Sequence, residues 1–148
     1  MKKFNFRLDP LLRVREQLEE ARKRKLAESM SREDAAHADI ARVAGEQSAA
    51  AQQMRDAKTG RVNAAQLKLL NRYLAGLQQT RHKQEASLHK LRGEVAQRRD
   101  ELIEAAQERK AVETVREHRL EEHRAETGRE EQNLLDEAAQ VRAKRKAS

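Results

Sequence analysis

Four of the five histidines in this 148-residue chain stand in two pairs, His82 with His89 and His118 with His123. Neutral imidazole is a common metal ligand, so these pairs are the first place to look for chemistry. On a helix, two histidines grip one ion when they stand four residues apart. His82 and His89 are seven apart and fall on the solvent side of the helical register, while His118 and His123 are five apart with no evident third ligand. All four read as surface histidines. Cysteine is absent, which rules out thiolate sites and disulfides. Acidic pairs are abundant, but a carboxylate becomes a useful acid or base where a cleft shifts its pKa, and nothing here suggests a cleft. There is no glycine-rich phosphate loop. The expectation is a protein that is not an enzyme and that holds neither cofactor nor metal.

Composition points the same way. Charged residues make up 39% of the chain, hydrophobic ones 37% and aromatic ones 2%, with a mean hydropathy of −1.05. Such a chain cannot enclose a large core, yet Ala, Leu, Glu, Gln, Arg and Lys dominate, the residues of coiled coils and long helices. A thin apolar seam is enough to fold them. No apolar run approaches the roughly 18–20 residues of a membrane span. The start carries Lys2 and Lys3 without the apolar stretch of a signal peptide, so a cytoplasmic location is expected. The net charge of +7 raises a nucleic-acid reading through phosphate neutralisation. Against it, acidic residues are interleaved throughout, and no aromatic platform exists on which bases could stack. No nucleic acid is expected as a partner, and no membrane insertion. A plain coiled-coil scaffold is the other alternative.

The helices that would carry any function read from their seams. From Leu67, steps of three and four reach Leu70, Leu74, Leu77, Arg81, Gln84, Leu88, Leu91, Val95, Arg98, Leu102, Ala105, Arg109 and Val112. Ten of these fourteen positions are apolar, the repeat of a coiled coil. Earlier in the chain, Leu11, Val14, Leu18 and Ala21 open a stripe that Leu26 and Met30 resume out of phase, which suggests a stutter near Lys25. Ala36, Ile40, Val43, Gln47, Ala50, Met54 and Ala57 continue it. Between the stripes, Lys58-Thr59-Gly60-Arg61 is a turn signal with Gly60 free to take a left-handed cap. The predicted fold is all-α: two long helices in an antiparallel coiled-coil hairpin, the second longer and projecting. Residues 1–148 then form a single hairpin, with helix 1 over about 9–57, a turn at 58–62 and helix 2 over about 63–145.

Past Val112 the seam positions turn polar, roughly where an antiparallel first helix would run out. Some 30 residues of helix would then project alone, about 45–50 Å. From Glu113 to Glu137 this segment has nine acidic and four basic residues, and Arg142, Lys144, Arg145 and Lys146 follow. Leu134, Leu135, Ala138 and Val141 give it a modest apolar face. Phe4 and Phe6 precede Asp9, a candidate N-cap, and Pro10, suited to a first helical turn. Two readings stand for the aromatics: packing near Val112 and Val115 to close the seam, or docking to a partner.

The pattern Phe4, Phe6, Leu8, Pro10, Leu11, Leu12, Arg15 or Arg13, and Glu19 resembles the opening of FliJ-type flagellar export proteins. The likeness continues through Thr59-Gly60, Leu67, Leu70, Tyr73-Leu74 and Leu77, over nearly the whole chain. The resemblance implies an antiparallel coiled coil similar to the central stalk of rotary ATPases. Its implied partners are the hexameric flagellar export ATPase, the membrane export gate protein and export chaperones, at the cytoplasmic face of the inner membrane. On that reading Phe4, Phe6, Leu11, Leu134, Leu135, Val141, Arg142, Lys144 and Arg145 would meet the ATPase ring, and Tyr73 and Leu77 the gate. Where relatives carry larger exposed side chains on the first helix, this chain has Ala38, Gly45 and Ala49.

Overall fold

A computed structural model describes residues 2–148. Two helices account for most of them, α1 (Asp9–Ala57) and α2 (Ala64–Ala147). The fold is all-helical, and α2 is the longer. High-propensity residues run through both helices and outweigh the glycines inside them, Gly45, Gly76, Gly93 and Gly128, while Pro10 and Gly60 lie at or near the ends of α1. Pro10 sits in the first turn of α1, where its missing N–H has no partner to lose. Leu8 supplies the flanking carbonyl, accepting from the Leu12 amide at 2.9 Å. Asp9 is thus the first helical residue rather than the cap, and its carboxylate turns to Arg116 at 3.4 Å. At the other end of α1, Gly60 adopts φ +81°, a left-handed conformation costly for any residue with a Cβ. Asn63 then caps α2. Its Oδ1 accepts from the amides of Ala65 at 3.1 Å and Gln66 at 3.4 Å, satisfying donors that a helix N-terminus leaves orphaned.

Contacts sort the chain into two units: Ala21–Leu102, and the segment up to Glu20 with Ile103–Ser148. In the first, the turn folds α2 back along α1 as an antiparallel hairpin. Its core is Val43, Ala50 and Leu77 with Leu74 packed against them, and Leu88 and Val95 are buried further along. In the second unit, Phe6, Leu12 and Ala105 are the buried apolar residues.

The seam of α2 runs as its apolar spacing predicts, except that Arg81 stands exposed and reaches Gln47 and Glu85 instead. The seam of α1 departs from expectation. Leu12 is buried, whereas Leu11 is 38% exposed and Val14 more so. From Leu12 the inward positions are Arg15, Glu19, Arg22, Leu26, Ser29, Glu33, Ala36, Ile40 and Val43, then Gln47, Ala50, Met54 and Ala57. These steps alternate between three and four without a break. There is no stutter near Lys25. Apolar spacing alone suggested one because charged residues hold the intervening seam positions.

Those charges are paired across the helices. Within the second unit Arg15 meets Glu108 at 2.5 Å, and Arg109 donates to Glu19 and to Glu113. Within the first, Arg22 reaches Glu101 at 3.4 Å and Arg92 reaches Glu33 at 3.8 Å. The hydrogen bond from Arg98 holds the Glu101 carboxyl below its ordinary value of 4.5, and the charges of Arg98, Arg22 and Lys25 add to this against the opposing pull of desolvation. A carboxylate with a depressed folded-state pKa contributes stability above its unfolded pKa and loses it as pH falls through the folded value. Helix content followed by circular dichroism should therefore decline in acid, below the ordinary carboxylate range. Glu101→Gln should flatten part of that decline while barely changing the signal at neutral pH. An unchanged acid limb would show that Glu101 is not linked to folding.

Candidate partner-binding surfaces

Three surfaces collect the residues singled out from the sequence, and each is set by a different local rule. The first is the N-terminal segment. Phe6 is only 6% exposed and Phe4 is half-buried, with their rings 6.5 Å apart. Phe4 also meets the His123 ring at 5.5 Å, and the Arg116 guanidinium lies 5.8 Å over its face. Since a carbonyl only accepts, His123 Nε2 donates to the Lys2 carbonyl at 2.9 Å. His123 is thus half-buried rather than a surface histidine. The aromatics do line a groove that includes Val115, but the segment continues past it, and Lys2 reaches Glu130 at 3.9 Å. The reason is rise per residue. A non-helical segment advances about 3.3 Å per residue, whereas a helix advances 1.5 Å. Residues 2–8 therefore cover roughly twice their own number along α2. Leu11 stands just beyond, partly open to solvent.

That coverage shortens the free end of α2. Side chains at 113, 116, 120, 123 and 127 are still half-buried, and every residue from 128 to 148 is exposed. The uncovered helix is about 30 Å long, not the 45–50 Å that the polar seam suggested. Leu134 and Leu135 are each 65% exposed and Val141 is 51% exposed. Arg142 and Arg145 line a shallow surface with Leu135 and Ala138, and Lys144 is also exposed. Large apolar side chains on an otherwise polar helix are the usual mark of a face that meets something else.

The third surface is on the hairpin near its turn. Tyr73 is 50% exposed, an amphipathic ring on a residue that flanks the seam. Leu77, one turn on, is 8% exposed and belongs to the core with Val43 and Ala50. The structure thus separates two residues that the sequence grouped: Tyr73 is available at the surface, and Leu77 is buried in the core. Ala38, Gly45 and Ala49 are exposed on α1, and a side chain added at Gly45 would meet nothing within 4 Å.

Among the described residues, no group of three or more His, Cys, Asp or Glu could hold a metal ion, and no helix is long and apolar enough to cross a membrane. His82 and His89 lie exposed on the outer face of α2. This arrangement offers surfaces for contact: stiff helices, an aromatic clamp and an uncovered end. The sequence missed the polar seam of α1 and the role of His123. Only the fixed 3,4 spacing could have found the former, by following position instead of residue type.

The family described as "Flagellar FliJ protein" matches the chain over residues 4–148. No curated protein and no solved structure matches it.

Proposed function

Because the chain belongs to the FliJ family of flagellar proteins and is thereby a component of flagellar protein export, we propose that it works as a stalk-like coiled coil for the export machinery. Its uncovered end docks into the hexameric export ATPase, promotes ring assembly and raises turnover. Tyr73, exposed on α2, contributes to contact with the membrane export gate protein, and the same chain helps cycle export chaperones. The protein acts without catalysis of its own, attached peripherally at the cytoplasmic face of the inner membrane. One observation carries the reading: residues 128–147 are helical, yet every residue there is exposed. Most helical stability in proteins comes from packing an amphipathic face, so a partner that completes the packing of this end is the economical explanation.

Hydrolysis by the export ATPase of the same organism tests this, measured with the full chain and with one ending at Thr127. The full chain should raise turnover several-fold and the truncated chain should not. Equal stimulation by both would move the ring contact away from this end. No stimulation by either would remove the ATPase from the proposal.

A further inference from the structure

The charges on the uncovered end of α2 are ordered in a way the rest of the molecule is not. Elsewhere, acidic and basic residues pair along their own helix, as in Arg42 with Glu46, Arg81 with Glu85, Arg98 with Glu101 and Arg119 with Glu122. From Glu130 onward no acidic residue has a basic one three or four positions away, so no such pair can form. The acids Glu130, Glu131, Asp136 and Glu137 come first, and Arg142, Lys144, Arg145 and Lys146 follow. Among the described residues their only ion pair is the long, exposed one between Glu130 and Lys2.

The helix dipole accounts for half of this order. Cations near a C-terminus are favoured, and Lys144, Arg145 and Lys146 occupy the last turn. The acids are not at an N-terminus, however. They lie deep within a helix that began at Ala64, where the dipole has no effect on them.

Glu131, Leu134, Ala138, Val141 and Arg145 are spaced 3, 4, 3 and 4, so they form one stripe. Its centre is Ala138, which is also the midpoint of the uncovered residues 128–148. We infer that the face formed by this stripe with the adjoining Leu135 and Arg142 pairs with the same face of a second copy of the chain, antiparallel about Ala138. A two-fold axis there sets Glu131 opposite Arg145 of the second copy and Leu135 opposite its Val141. The Arg142 stem then lies along Leu134 of the other chain. Each acid half meets a basic half, and the contact is isologous, as two-fold pairing requires.

An anionic membrane or nucleic acid fits less well, because the acidic half of the stripe would face the same negative charge as the basic half. Small Ala138 at the axis allows close approach, while two leucines and a valine per chain supply limited apolar area. The dimer is therefore weak and sensitive to salt. This inference concerns the chain alone and does not depend on any role in export. When formed, the dimer covers the uncovered end and holds it out of reach of other partners.

Sedimentation equilibrium of the full chain tests it at low and high salt. A monomer–dimer equilibrium is expected at low salt, weakened as salt rises. Glu131→Arg and Arg145→Glu should each weaken self-association about tenfold, since each creates two facing like-charge pairs. An equimolar mixture of the two single variants should recover association, because their heterodimer restores both opposite pairs. The double variant should dimerise like the parent. Circular dichroism of each variant separates these effects from fraying of the helix end. A monomer at every concentration in low salt would overturn the inference. So would a dimer indifferent to both substitutions, or a mixture that stays as weak as the single variants.

Discussion

Phe6→Ala is expected to free the N-terminal segment from α2 and to destabilise the protein by about 3 kcal/mol, within the range for emptying a buried phenylalanine site. Phe6 is the most buried side chain of that segment. Its neighbours are held by weaker contacts, the Phe4 ring against His123 and Arg116 and the single Lys2 carbonyl bond. Without Phe6 these cannot offset the entropy of ordering seven residues at about 1 kcal/mol or more each. Denaturant unfolding should record the loss. Hydrogen exchange should show faster exchange at the Asp9 amide, whose bond to the Phe6 carbonyl is 3.2 Å. Phe4→Ala, at a half-buried ring, should cost about 1 kcal/mol. If Phe6→Ala left stability and exchange unchanged, the segment would not be packed in solution, and its aromatics would again be candidates for docking.

Leu77→Ala should cost a similar amount, about 3 kcal/mol, at the other unit. Leu77 touches the core formed by Val43 and Ala50, and those neighbours are too small or too stiff to fill the space. Leu77→Met should cost under about 1.5 kcal/mol because volume is kept. Leu69→Ala serves as the control. Leu69 is 67% exposed, and its loss should change stability by no more than about 0.5 kcal/mol. Equal effects at Leu69 and Leu77 would mean that the α2 register is misassigned. The pair also bears on function. A Tyr73 substitution that weakens export without altering stability would separate surface contact from packing, which Leu77→Ala cannot do.

The contrast between the two seams explains what was legible. On α2, leucines and valines occupy most inward positions, so residue type and register coincide. On α1, Arg15, Glu19, Arg22 and Glu33 point inward because their partners on α2 are charged too. A charged residue at a seam position looks like solvent surface until its partner is known. The apparent stutter followed from that, and so did the mistaken inward placement of Leu11 and Val14, since one position on a helix is a 100° rotation.

By itself, the sequence determined that the protein is two helices with a turn at Gly60 between them, because propensity, Gly60, Pro10 and the repeat are local properties. Family membership was legible for the same reason, carried by motifs spread along the chain. The tertiary structure decided which polar residues are inside, since a buried charge depends on an opposite charge about 80 to 90 positions away. It also decided how much of α2 stays uncovered. That length depends on how far a non-helical segment reaches along a helix, a comparison of two rises per residue that no repeat in the sequence records.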